Sequence, residues 1–250
     1  MTIADLLADC EAARRALGIA RWTVLGHSFG GNLALRYAAA CPDTVEAVIF
    51  ENPVWDMALS CRAALPHIAA LLAAPGRDKQ VEARTAREAA SRETAPRALR
   101  AAYLAALSAL DDDRENFFVP SAVTRERLRQ LQQARPAAGA AERQASEEST
   151  LRHHVAISSS DAFFEPVLPL QAKLRCPALL ITGALDPITS AEQREAFGAS
   201  PSTHRSVRFG RAGHFVHADE PDAYAGAVTS FLRAGQVTAG ACGEVPPSGW

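Results

Sequence analysis

The pentapeptide GHSFG at residues 26–30 is the feature that most constrains the fold of this chain, because of the segments that flank it. It follows a short apolar run, WTVL at residues 22–25, and precedes a helix-like segment at residues 31–40. A serine at such a strand-to-helix turn is held in a strained backbone conformation and needs small residues two positions away on either side. The pattern predicts that the Ser28 hydroxyl is raised above a sheet edge, with the Phe29 N–H directed at a developing oxyanion.

The remaining sequence alternates helical periodicity with short, continuous apolar runs. Such runs are typical of strands that are buried on both faces of a parallel sheet. The predicted helices are residues 2–17, 31–40 and 220–232, and the predicted strands are residues 22–25, 45–50, 177–183 and 206–209. The alternation predicts an α/β fold with a mostly parallel sheet.

The segment from residue 52 to residue 175 differs from the rest, since it is rich in Ala and Arg and has helical patterning throughout. Breaks are expected at Pro75 and Gly76, at Pro120, and at residues 135–141. We therefore predict a helical block of residues 52–175 inserted into a core formed by residues 1–51 and 176–233. Residues 234–250 are rich in Gly, Pro and Ser, and they predict a disordered tail.

Composition excludes several classes of function. The 250 residues are 48% hydrophobic and 22% charged, with a formal net charge of −2, so no basic field attracts nucleic acid or anionic lipid. No uncharged stretch is long enough to span a bilayer, and no signal peptide is expected. Five widely spaced cysteines predict neither a disulfide framework nor a zinc site, which favours a cytoplasmic location.

Two further polar residues follow predicted strands, where parallel sheets place their sites. Asp186 comes just after the strand at residues 177–183, and His214 follows the strand at residues 206–209. A serine needs a base to accept its proton and a carboxylate to orient that base. We therefore predict Ser28 as nucleophile, His214 as base and Asp186 as orienting acid.

Alternatives for these roles remain open at the level of sequence. Glu51 directly follows the strand at residues 45–50, so its carboxylate is a second candidate for the orienting acid. His27 and His217 are alternative histidines, although His27 is expected to pack beneath the turn and His217 to lie on the helix side. No metal or cofactor is expected, because the chain has no HExxH motif, no cluster of Cys and His ligands and no GxGxxG spacing.

These motifs resemble those of the α/β-hydrolase superfamily. The resembling segments are GHSFGG around Ser28, ITGALDP around Asp186, and GHF followed by HADEP around His214, in the superfamily's chain order of serine, acid and histidine. The likeness extends over residues 2–51 and 177–232, and the segments LGIARWTVLGHSFGG and LALRYAAACPD are similar to the proline iminopeptidase-like branch. That branch has a different acid loop, so peptidase specificity is not carried over.

The resemblance implies an α/β-hydrolase fold in which the block of residues 52–175 is a helical cap. It also implies about four strands and a His-Gly loop upstream of the first helix. Nothing in the sequence matches these, so we expect an N-terminally truncated form that lacks the second oxyanion donor. The expected function is a serine hydrolase that cleaves an ester, thioester or amide of a small-molecule acyl substrate. The alternative is a non-catalytic or impaired homologue that acts as a binding module.

Overall fold

The computed structural model describes residues 2–133, 139–168, 174–199 and 204–240. The strands are β1 (Trp22–His27), β2 (Val45–Glu51), β3 (Ala178–Gly183) and β4 (His204–Phe209). The helices are α1 (Ile3–Ala16), α2 (Phe29–Ala40), α3 (Met57–Leu72), α4 (Gln80–Arg92), α5 (Pro96–Ser108), α6 (Arg114–Phe118), α7 (Ala122–Gln133), α8 (Ala140–Ser158), α9 (Ala191–Gly198), α10 (Val216–Asp219) and α11 (Pro221–Gly240). Short 3₁₀ turns lie at Asp111–Asp113 and Asp161–Phe163.

The four strands form one parallel sheet in the order β1-β2-β3-β4. Each strand predicted from the sequence is present, and β1 and β4 are each two residues longer than their apolar runs. Ile49 of β2 lies opposite Leu25 of β1 on one side and opposite Leu179 of β3 on the other. The predicted parallel α/β sheet is confirmed.

Alternating side chains of the two central strands form a core on each face of the sheet. On one face, Val48 and Phe50 pack with Leu35 of α2 and Phe197 of α9. On the opposite face, side chains of β2 and β3 pack with Phe231 of α11. Both central strands are therefore covered on both faces, which explains why residues 47–50 of β2 and 178–181 of β3 are continuously apolar.

The helices between β2 and β3 have a separate core of their own. Its largest fully buried side chains are Leu65, Ile68, Leu72, Leu99 and Leu110. The expected break near Pro75 lies between α3 and α4, and the break at Pro120 lies between α6 and α7. Of the third predicted break, at residues 135–141, residues 135–138 lie outside the described residues.

The C-terminal helix is longer than the sequence predicted. Helix α11 continues to Gly240, whereas the disordered tail was predicted to begin at Ala234. In the segment AGQVTAG at residues 234–240, only the two glycines disfavour a helix strongly, so the helix can continue there. Residues 241–250 lie outside the described residues. None of the helices in the described part of the chain has both the length and the hydrophobicity needed to cross a membrane.

Candidate active site

Ser28 occupies a strained turn between β1 and α2. Its φ of 54° and ψ of −125° lie outside the regions that non-glycine residues ordinarily adopt. The Ser28 N–H donates to the Glu51 carbonyl at 3.0 Å, and the Ser28 carbonyl accepts from the N–H groups of Gly31 and Val54, each at 2.9 Å. Backbone hydrogen bonds on both sides thus hold the serine in its unusual conformation, as is typical of functional sites.

Close backbone approach explains two of the three glycines in this turn. A Cβ atom on Gly26 would lie 2.2 Å from the Gly30 carbonyl oxygen, and one on Gly31 would lie 2.6 Å from the Pro53 Cβ. A Cβ on Gly30 would meet no heavy atom within 4 Å. The expectation that both flanking positions must be small is therefore wrong at Gly30, where the space beside the backbone is open.

Asp186 and His214 are hydrogen-bonded to each other in a nearly closed environment. Asp186 Oδ1 lies 2.9 Å from His214 Nδ1, and the two side chains are only 1% and 4% exposed. The Asp186 carboxylate also accepts the N–H groups of Ile188 and Thr189, each at 3.0 Å. Burial raises the pKa of Asp186, but its hydrogen bond to His214, the nearby charge of that ring and the two N–H groups outweigh burial and lower it.

The loop that carries His214 is held from two sides. The His214 N–H donates to the Phe118 carbonyl of the helical block at 2.9 Å. From the sheet side, Asn52 Nδ2 donates to the carbonyls of Gly213 at 2.9 Å and His214 at 2.8 Å, while Asn52 Oδ1 accepts the Gly183 N–H at 3.0 Å. One buried amide therefore joins the end of β3 to the histidine loop.

Sequence reasoning did not identify Asn52. Its backbone has a φ of 39° and its side chain is fully buried, directly after the last residue of β2. Asparagine is one of the few residues that tolerate this conformation, so an Asn immediately after a predicted buried strand was the available signal.

Glu51, the alternative acid, faces a different histidine. Its carboxylate oxygens lie 2.8 Å and 3.0 Å from His217 Nδ1, and it also accepts the His217 N–H at 3.0 Å and the Tyr224 hydroxyl at 3.3 Å. The hydrogen bond to Glu51 raises the pKa of His217. The structure thus brings Asp186 to His214 and Glu51 to His217.

His27 contacts both of these histidines with its ring, at centroid distances of 4.7 Å to His214 and 5.9 Å to His217. Its ring stacks on Phe215 at a centroid distance of 4.8 Å, and its Nε2 lies 2.9 Å from the His214 carbonyl oxygen. Burial, followed by the nearby His214, lowers the pKa of His27, which favours the neutral ring. His27 therefore supports the His214 backbone, and its ring makes no hydrogen bond to Ser28 in the part of the chain that the structure describes.

Ser28 and His214 line one cavity of about 250 Å³, together with Phe29. Among the described residues, no hydrogen bond joins the Ser28 hydroxyl to the His214 ring. In serine hydrolases the distance between these two groups often shortens only when substrate binds. The Phe29 N–H is at the first position of α2, so it has no partner within the helix. The apolar part of the lining is formed by Val54, Met57, Phe118, Ile157, Phe163 and Ile188.

The cavity also contains polar groups that sequence reasoning did not select, namely Ser60, Cys61, Arg100, Tyr103 and His154. Burial raises the pKa of Cys61 to about 12, so its thiol stays protonated and does not compete with Ser28 as a nucleophile. The described residues contain no group of three or more His, Cys, Asp or Glu side chains that could hold a metal ion.

Comparison with a family model assigns the chain to a known family. The model for the alpha/beta hydrolase fold matches residues 1–221. This chain therefore belongs to the α/β-hydrolase fold family.

Individual relatives agree with that assignment. The proline iminopeptidase of Xylella fastidiosa strain Temecula1 is 53% identical over 57 residues, which are 21% of this chain and 18% of that protein. The match therefore spans less than a fifth of the relative's length.

Solved structures match over a larger share of the chain. A proline iminopeptidase-related protein from Thermus thermophilus has a TM-score of 0.59 at 20% identity, covering 94% of this chain and 71% of its own. The proline iminopeptidase of Mycobacterium smegmatis has the same TM-score and identity, covering 93% of this chain and 72% of its own. At this level of identity, both structures show a shared fold.

Proposed function

We propose that this chain is a serine hydrolase that cleaves an ester, thioester or amide through an acyl-enzyme intermediate. The observation that carries the proposal is that the strained Ser28 and the Asp186–His214 pair meet at one cavity. The membership of the α/β-hydrolase fold family and the likeness to proline iminopeptidases support hydrolysis of an acyl bond. Peptidase activity is not carried over, since the matched relative is covered over only 18% of its length.

Each residue has a distinct task in this proposal. With His214 Nδ1–H donating to Asp186, Nε2 is free to take the proton of Ser28 as its oxygen attacks the substrate carbonyl. The Phe29 N–H stabilises the negative charge that develops on the carbonyl oxygen. The tetrahedral intermediate collapses, the bond to the leaving group breaks, and His214 returns the proton to that group. Water, deprotonated by His214, then attacks the acyl carbon, the bond to the Ser28 oxygen breaks, and His214 returns the proton to that oxygen.

A fluorophosphonate probe tests the nucleophile directly, because its phosphorus bonds to an activated serine oxygen as fluoride leaves. We expect the full chain to be labelled at Ser28 and the Ser28→Ala variant to remain unlabelled. Asp186→Asn should slow labelling on the order of a thousandfold or more, since the histidine then loses the carboxylate that orients it. The rate is measured by mass spectrometry of the intact protein over time.

Glu51→Gln is the matched comparison for the acid, since Glu51 faces His217. We expect Glu51→Gln to be labelled at least ~10-fold faster than Asp186→Asn, because only the latter loses the carboxylate that orients His214. A folded wild-type chain that takes up no label and hydrolyses no activated ester refutes the proposal. That outcome would instead support the alternative of a non-catalytic binding module.

A further inference from the structure

Arg100 is a partly buried cation at the candidate active site, and part of its guanidinium group lacks acceptors among the described residues. It lies in α5 and lines the same cavity as Ser28 and His214. Its Nε and Nη1 atoms are buried, and neither has a hydrogen-bond partner in the described part of the chain. Its guanidinium carbon lies 5.9 Å from the ring centroid of Tyr103 and 5.5 Å from that of Phe163.

Neighbouring arginines of the helical block are paired. Arg97, one turn earlier on α5, contacts the Asp161 carboxylate at 2.5 Å and the Ser159 carbonyl at 3.1 Å. Arg62 donates to the carbonyls of Ala90 and Glu93, each at 2.7 Å. Arg100 therefore differs from them in having N–H groups that are removed from water and that no described residue accepts.

An unpaired charged group in such a position is costly to the folded protein. Aromatic rings stabilise a guanidinium weakly and leave its N–H groups unsatisfied. Among the described residues that line the cavity, none is an aspartate or a glutamate. The missing acceptor is therefore expected to arrive with a ligand, and the shape of the guanidinium best fits the two oxygens of a carboxylate.

We propose that Arg100 binds a carboxylate of the substrate, so that this hydrolase acts on acyl compounds carrying an acidic group next to an apolar segment. That the substrate is hydrolysed rests on the proposed function, whereas the acidic group of the substrate is inferred from Arg100 alone. The apolar side chains of the cavity contact the uncharged part of the substrate. The cation makes a positively charged substrate group unfavourable in the same cavity.

Binding without turnover tests this inference separately from catalysis. The Ser28→Ala chain is titrated by calorimetry with a series of carboxylates, from phenylacetate to 5-phenylpentanoate, each beside its uncharged amide. We expect the best carboxylate to bind about tenfold to a hundredfold more tightly than its amide, the range for hydrogen bonds to charged groups. Adding Arg100→Met should remove that preference, so that the carboxylate and its amide bind with similar affinity, whereas Arg100→Lys should keep part of it.

Arg84 provides the matched control, since it is exposed on α4 and does not line the cavity. Arg84→Met removes the same charge and should keep the preference for the carboxylate. Arg100→Met should be at least as stable to heat as the parent chain, which a purely structural role for Arg100 would not allow. The inference is overturned if no carboxylate binds more tightly than its amide, or if the preference persists in Arg100→Met. Failure of fluorophosphonate labelling leaves this binding result unaffected, so the two proposals fail independently.

Discussion

Two histidine–carboxylate pairs lie side by side at the carboxyl edge of the sheet, and their surroundings differ. The Asp186–His214 pair is closed from solvent and borders the cavity. In the Glu51–His217 pair, the carboxylate is 1% exposed while the histidine side chain is 48% exposed. A half-exposed imidazole next to a buried carboxylate is well suited to joining α10 to β2, and neither side chain lines the cavity.

The Glu51–His217 pair predicts a pH-dependent contribution to stability. The pKa of His217 is raised above its ordinary 6.5, chiefly by its hydrogen bond to Glu51. The contribution of this shift to the stability of the folded protein is therefore complete below pH 6.5 and is lost as the pH rises through the pKa of His217 in the folded state. Burial opposes a low pKa for Glu51, but the His217 contacts hold it below 4.5, so its contribution is lost as pH falls through that lower value. Glu51→Gln should therefore lower the melting temperature most between about pH 4.5 and 6.5.

Thermal unfolding at pH 5.5 and at pH 9 checks this prediction. Because His217 is half exposed, the electrostatic contribution of the pair to stability is small. The Glu51→Gln variant also loses hydrogen bonds of the carboxylate, which lowers its stability at both pH values. Glu46→Gln is the control, because Glu46 is exposed on the same strand and should show no such dependence on pH. A stability difference for Glu51→Gln that is larger at pH 9 contradicts the interpretation.

At the scale of elements, the turn between β1 and α2 depends on where backbone approaches backbone. The space around Gly26 is filled by the backbone of Gly30, which cannot move without shifting the start of α2. The space around Gly30 is open. The two glycines of the pentapeptide therefore have different physical roles, although they are equivalent in the motif.

Replacing each glycine by alanine separates these roles. Gly26→Ala should destabilise the protein by roughly 1–3 kcal/mol and slow the labelling of Ser28, because the added methyl group displaces the turn. Gly30→Ala should be as stable as the parent or gain up to about 1 kcal/mol, since alanine favours the helix. Denaturant unfolding measures the free energy, and equal losses in the two variants would contradict the assignment.

A buried side chain of α9 also connects the helical block to the core. Gln193 of α9 is fully buried, and its Oε1 accepts the N–H groups of Trp55 at 2.7 Å and Asp56 at 3.0 Å. Its Nε2 donates to the Ser60 hydroxyl at 2.9 Å. One side chain thus positions the beginning of α3, from which the wall of the cavity extends.

At the scale of the whole molecule, β1 is an edge strand in the described part of the chain. It pairs with β2 alone, and its Leu25 side chain is 49% exposed. An exposed edge with apolar side chains is a template for pairing with another chain. We therefore expect this chain to self-associate as its concentration increases.

Leu25→Lys should reduce that self-association, because charged side chains on an edge strand oppose pairing with a second copy. Sedimentation velocity over a range of concentrations measures the effect. Leu131→Lys introduces the same change on α7, where Leu131 is 57% exposed and offers no strand edge. Self-association that both variants reduce equally would point to general hydrophobic contact instead of β1.

Local patterns were sufficient to predict the strands, helices α1 and α2, most of α11 and the places where Ser28, Asp186 and His214 follow strands, but they did not predict α9 or α10. The periodicity of hydrophobic residues and the residue types of turns are patterns over a few neighbouring residues, so they can be recognised without knowing the fold. The extent of α11 was underestimated, because glycine and polar residues lower helix propensity without excluding a helix.

The sequence by itself therefore determined the class of fold and the order of the candidate catalytic residues along the chain. Only the tertiary structure decided that Asp186 meets His214 while Glu51 meets His217, because both carboxylates end neighbouring strands and the loops select between them. The same holds for Arg100, one of many arginines in a helical block whose periodicity does not reveal which side chain faces Ser28. Contacts between residues far apart in sequence depend on how elements pack, and no local pattern encodes that packing.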